Sequence, residues 1–94
     1  MKKRLKVGVF DSGIGGISVL KECVRIVPDA KYYYLGDNGR APYGNRSEEE
    51  IARFTREALS VFRRKKVDVA VIACNTATAV AADEIRKEFS FPVI

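Results

Sequence analysis

The 94-residue chain contains no histidine and no tryptophan, a single methionine, three prolines and two cysteines. Each scarcity removes a class of chemistry. Without histidine, neither a Ser-His-Asp triad nor a Cys-His pair can be assembled within the chain. A zinc site also loses its usual nitrogen ligand, so no metal is expected. Cys23 and Cys74 lie 51 positions apart with no C-x-x-C pair, which rules out a disulfide framework. Free thiols belong in a reducing compartment, and the cytoplasm is expected. No apolar run approaches the ~20 residues needed to span a bilayer, so no membrane partner is expected. The N-terminus, "MKKRLKVGVF", is basic but lacks a long apolar stretch and a small-residue cleavage site, and no secretory signal is expected.

What is present is ordinary in bulk. Hydrophobic residues make up 47% and charged residues 31%, as in a soluble globular domain. Residues 1–94 are short enough to form one domain with a thin core. The net charge of +5 comes from 17 Lys+Arg against 12 Asp+Glu. The excess is scattered, in "KKRLK" and in "RRKK" at Arg63 to Lys66, where it suits the end of a helix. It reads as solvated surface, and with no aromatic-basic patch no nucleic-acid partner is expected.

Four short runs rich in β-branched and aromatic residues predict strands at Leu5–Phe10, Lys31–Leu35, Val67–Ala73 and Phe91–Ile94. Helix periodicity fills the gaps. The first helix spans about Gly16 to Val27, with Ile17, Leu20, Val24 and Val27 on one stripe and Pro28 closing it. The second begins at Ser47, with Glu50 completing a capping box. Ile51, Phe54, Ala58, Val61 and Phe62 form its apolar face. The third spans about Ala77 to Phe89, with Val80, Ala81, Ile85 and Phe89 inward. The class is therefore α/β: a parallel sheet with flanking helices in the order β-α-β-α-β-α-β, as in an incomplete flavodoxin-like domain. The last strand would be an edge needing cover.

Three stretches look unlike scaffold, and each follows a strand: "DSGIGG" from Asp11, "GDNGRAPYG" from Gly36, and "CNTAT" from Cys74. In a parallel sheet all three emerge at the carboxyl edge, where open α/β sheets bind ligands. Asp11 and Ser12 fit either a helix cap with a tight turn or an anion cradle. The glycines at 13, 15 and 16 do not make G-x-G-x-x-G, because Ser18 stands at the final position. The second loop, about eleven residues with Pro42 and glycines for turns, is long for a mere connection. There Tyr43 offers a hydroxyl and a ring face, and Pro42 and Gly44 offer backbone groups. Cys74 is either an inert packed thiol or a reactive one at the start of a helix, which favours thiolate. Val80 stands where a phosphatase loop would need arginine, so a base or acyl nucleophile is the better reading. Asn75 and Thr76 add hydrogen-bonding groups beside it. Cys23, about ten residues into the first helix, is expected to pack.

"GVFDSGIGG", "GDNGRAPYGNRS" and "VIACNTATA" together resemble the aspartate/glutamate racemase superfamily, and the likeness runs from Val7 to Ile94. It implies a cofactor-independent enzyme that racemises glutamate, a small-molecule substrate, for bacterial peptidoglycan. It also implies two thiols flanking the substrate α-carbon. Carried over, Cys74 is one of the pair and Asp11 assists it. Ser12, Pro42, Tyr43, Gly44, Asn75 and Thr76 match substrate-binding positions. Asn38 and Gly39 depart from the threonine and alanine usual in the family. The family's second cysteine belongs to a further half, so the 94 residues are expected to be an incomplete first domain with little or no activity of their own. Two Cys74 side chains brought together in a homodimer, or paired edge strands, offer another route. Two alternatives remain: a sister isomerase or lyase acting on aspartate, hydantoins or malonates, and a non-catalytic scaffold made for folding or assembly.

Overall fold

The computed structural model describes residues 4–13, 16–40 and 43–94, apart from the side chains at 75 and 80–84. Among these residues, β1 (Lys6–Asp11), β2 (Lys31–Gly36) and β3 (Val69–Ile72) form a parallel sheet in the order β2-β1-β3. The helices are α1 (Gly16–Ile26), α2 (Glu48–Arg64) and α3 (Asn75–Arg86). The expected fourth strand is a single parallel bridge, Val93 to Ala70 of β3, with the Ile94 amide donating to the Ala70 carbonyl and the Ile72 amide to the Ile94 carbonyl, both at 2.9 Å. Pro92 has no amide to give a ladder, although its carbonyl still accepts from the Ala70 amide at 3.0 Å.

Strand alternation sorts the side chains onto two faces. Phe10 of β1 and Ala70 and Ile72 of β3 meet α2 and α3 in the main core, which holds Ile51, Phe54, Ala58, Leu59 and Phe62 from α2, Ala77 and Ile85 from α3, and also Tyr43, Val67, Phe91 and Val93. Gly8 faces this side because a Cβ there would lie 2.6 Å from the Phe62 ring. Among the described residues, the buried hydrophobic cluster on the opposite face is Val7, Val9 and Ala30, with Leu20, Tyr32, Val69, Val71 and Ala73 partly buried around them. That cluster is too small to cover the α1 stripe. Leu20 packs, while Ile17, Val24 and Val27 stay exposed, contrary to the simple amphipathic expectation.

The helix ends follow their local chemistry. Ser47 caps α2 with both halves of the capping box in place. Lys66 sits at φ 58° and closes the other end of α2, with the Val67 amide reaching back to the Phe62 carbonyl at 3.2 Å. This is a Schellman-type stop built on a lysine rather than the usual glycine. On α2, Ile51, Phe54, Ala58 and Phe62 are buried as expected, Val61 is only half-buried, and Leu59 and Thr55 are buried in addition, the Thr55 hydroxyl donating to the Ile51 carbonyl at 2.8 Å. α3 starts two residues earlier than its apolar pattern predicts, at Asn75, and Phe89 packs beyond its last turn. The inward positions assigned to Val80 and Ala81 lie outside the described side chains. No helix among the described residues is long and apolar enough to cross a membrane.

Candidate active site

Strand register brings the three loops to one level. Asp11 pairs with Gly36 across β1 and β2, and Phe10 pairs with Ile72 across β1 and β3. The ladders then extend into the loops: the Asp37 amide donates to the Asp11 carbonyl at 3.0 Å, and the Ala73 amide to the Phe10 carbonyl at 2.7 Å. Asp11, Asp37 and Cys74 thus leave the sheet side by side at its carboxyl edge.

Asp11 is the last residue of β1 and is fully buried. One carboxylate oxygen accepts from the Gly13 amide and the other from the Tyr34 hydroxyl. The first contact is an Asx-type turn. Helix α1 begins only at Gly16, so neither Asp11 nor Ser12 is its cap residue. Ser12 is buried beside Asp11. Gly13 needs its glycine, since it sits at φ 109°, a conformation that side chains rarely adopt.

The described residues of the second loop, 37–40 and 43–47, are held by specific contacts. Two short 3-10 turns, Asn38–Arg40 and Tyr43–Asn45, fold it onto α2. The Arg40 guanidinium grips the Asp37 carboxylate at 2.8 and 3.0 Å, reaches Glu57 at 3.1 Å, and stacks 3.8 Å from the Phe54 ring centre. Tyr43 is buried, its ring 5.4 Å from that of Phe54, and its hydroxyl donates to Asp37. Burial and the Asp37 hydrogen bond push the Tyr43 phenol strongly up. The Tyr43 hydroxyl and face, expected to be on offer, are therefore spent on the loop's own structure. Gly44 lies exposed in the second turn with open space where a Cβ would stand. Pro42 lies outside the described residues.

Cys74 caps α3 from an extended backbone, φ −133° and ψ 118°. Its Sγ accepts from the Ala77 amide at 3.5 Å, so the sulfur sits at the positive end of the helix dipole. Thr78 clamps the position from within the helix, its hydroxyl donating to the Cys74 carbonyl at 2.8 Å. Cys74 is half-buried, as is Thr76. Asn75 opens the helix, and its side chain is outside the described set. Cys23 is half-buried in the third turn of α1, roughly 10 Å along the helix axis from its start.

Four residues at this edge have no individual role in the sequence reading: Asp37, Arg40 and Thr78 lie inside the singled-out stretches without one, and Tyr34 reads only as strand. Only the fold shows that they hold Asp11, Tyr43 and Cys74. Among the described residues, no three Cys, Asp or Glu side chains stand together as a metal site.

A parallel α/β sheet with three such loops at its carboxyl edge defines a class. The chain belongs to the Asp/Glu/Hydantoin racemase family, whose model matches residues 7–94. Within that class, similar curated proteins include glutamate racemases. The one from Aquifex aeolicus is 48% identical over 89 residues, 95% of this chain and 35% of that protein. The one from Enterococcus faecalis is 44% identical over the whole chain and 34% of its own length. Among solved structures, the Escherichia coli glutamate racemase in complex with L-glutamate and an activator superposes with a TM-score of 0.91 at 40% identity. It covers 98% of this chain and 35% of its own. The Thermus thermophilus enzyme gives 0.90 at 39%, over 96% of this chain and 35% of that one. The chain thus spans about a third of the length of the relatives it matches.

Proposed function

We propose that this chain carries one face of a glutamate racemase site. The observation that carries the reading is the alignment of Asp11, Asp37 and Cys74 at one sheet edge, in a chain about 40–48% identical to glutamate racemases over nearly its full length. The substrate is glutamate, and the work is cytoplasmic supply of D-glutamate for peptidoglycan.

In this reading the Cys74 thiolate takes the α-proton of one enantiomer and becomes a thiol. The electron pair left on the α-carbon is delocalised into the substrate carboxylate. A second thiol then returns a proton to the opposite face. Proton transfer from carbon needs a base held in place, and Cys74 is fixed by the Ala77 amide and by Thr78. Asp11, with both oxygens already oriented, contacts the substrate ammonium group. Ser12, the backbone around Pro42 and Gly44, Asn75 and Thr76 hold the carboxylates. Tyr43 contributes by shaping the loop rather than through its hydroxyl. The chemistry uses thiols and hydrogen-bond donors and calls on no cofactor. The 94 residues supply one thiol at this edge, so turnover by the chain alone is expected to be very low unless a second copy brings another Cys74.

The test is α-proton exchange in D₂O, followed by NMR with L- and D-glutamate separately and with Cys74→Ala as control. Exchange of one enantiomer, lost in the control, supports a working half-site. Exchange of both with racemisation points to a dimer. No exchange, together with no protection of Cys74 from alkylation by glutamate, rejects the reading for this chain.

A further inference from the structure

We propose that Tyr34 is the positioning residue for the Asp11 carboxylate, reaching it along the sheet across Gly36. The inference rests on the role proposed above for Asp11. Its geometry begins with the register. Tyr34 pairs with Val9 and Gly36 pairs with Asp11, so all four residues alternate onto the same face of β1 and β2. A side chain from Tyr34 meets Asp11 only by running two residues up the strand, over position 36. That path is open because residue 36 is glycine. A Cβ there would lie 3.1 Å from the Tyr34 Oη and 3.4 Å from two of its ring carbons, tighter than or at the limit of ordinary packing. The phenol lies in that space and donates to the Asp11 Oδ2.

Asp11 is 0% exposed whereas Tyr34 is 38% exposed, so a half-exposed tyrosine reaches a buried carboxylate. With Gly13 on one oxygen and Tyr34 on the other, the carboxylate plane is fixed from both sides. Each oxygen keeps a further lone pair for a substrate ammonium group. The phenol is suited to the task because it stays protonated: the hydrogen bond to Asp11, with burial and the Asp11 charge, lifts Tyr34 to about 12.

Two readouts test the proposal. The first needs no activity. With tyrosine labelled at carbon ζ, and Tyr34→Phe to assign the signal, NMR at pH 11 should find about nine-tenths of Tyr34 still phenol in the wild type, given a midpoint of about 12, against mostly phenolate in Asp11→Asn, whose midpoint returns toward the ordinary value of about 10. An unchanged phenol fraction in Asp11→Asn overturns the proposal. The second readout is the glutamate α-proton exchange rate. Tyr34→Phe should lower kcat about tenfold and change KM less than twofold, an energy of about 1.4 kcal/mol in the barrier, and it should alter the pH-rate profile. Gly36→Ala should reproduce the loss by displacing the phenol. A Tyr34→Phe chain with wild-type kcat and pH profile overturns the proposal. A wild-type chain that exchanges no proton counts against the function proposed above, and the carbon ζ readout then decides the Tyr34 proposal alone.

Discussion

Gly13 is seated directly on Asn38: a Cβ at position 13 would lie 2.5 Å from the Asn38 Oδ1 and 3.0 Å from its Cα. The first site loop therefore rests on the second, and the two cannot move independently. Gly13 is also at φ 109°. Gly13→Ala should destabilise the chain by about 1–3 kcal/mol, combining backbone strain with the clash. Urea denaturation measures it. Asn38→Gly in the same chain should restore only part of the loss, because the φ angle and the Asn38 backbone contact remain.

Lys66 offers the opposite case. It occupies the left-handed region at φ 58°, where an L side chain costs roughly 1–2 kcal/mol and glycine costs little. Lys66→Gly should stabilise the chain by up to about 1 kcal/mol after the entropy of glycine is counted. A lower urea midpoint in this variant would contradict the Schellman-type stop described for α2.

Ser47→Ala removes the hydroxyl that accepts from the Glu50 amide at 3.1 Å. A lost cap of this kind costs about 1 kcal/mol. The Ser47 amide is the main group holding Glu50 below the usual carboxylate range and survives the change, but the smaller share from the Ser47 hydroxyl is lost. Thermal unfolding and a carboxyl NMR titration of Glu50 should therefore move together, with the Glu50 midpoint rising.

Alkaline stability should be lost in a defined window. The folded Tyr34 midpoint is about 12, against about 10 for an ordinary phenol. Below pH 10 both states hold the proton and the contribution is intact. Between 10 and 12 the unfolded chain releases the proton first, so stability falls as pH rises. Tyr43, also shifted up, acts in the same direction. Tyr34→Phe should flatten part of the decline in a pH series of urea midpoints. An equally steep decline in the variant would place the effect elsewhere.

Gly44 should separate binding from stability. Open space surrounds its missing Cβ and its φ is not among the positive ones, so Gly44→Ala should change the urea midpoint by less than about 0.5 kcal/mol, as an open surface position does. If its backbone receives the substrate carboxylate, glutamate protection of Cys74 should weaken several-fold in that variant. Unchanged protection would remove Gly44 from the site.

The element order was legible because each segment carries its own signal. Alternation and β-branching mark the strands, the Ser47–Glu50 pair marks a helix start, and the glycine and proline clusters mark the loops. The common edge of the candidate loops was legible for a related reason. Once the strands are parallel, residues that follow them fall at one edge, which places Asp11, Ser12, Gly44, Cys74 and Thr76 together in a single argument. Local pattern misjudged what depends on partners. It gave α1 an inward stripe at Ile17, Val24 and Val27, although the sheet face beneath is too small to cover them. It gave 91–94 a full strand, although the pairing there is one bridge at Ala70 that Pro92, without an amide, cannot extend toward Phe91.

The α/β class, the three loops and Cys74 as the thiol at a helix start could be read from the chain, because they depend on residues near one another. How those residues are used depends on long-range packing. It buried Tyr43 and turned its hydroxyl onto Asp37, and it laid Tyr34 over Gly36 to reach Asp11. Such pairings depend on strand register and on space left by a missing side chain, and both are set by packing between segments distant in sequence.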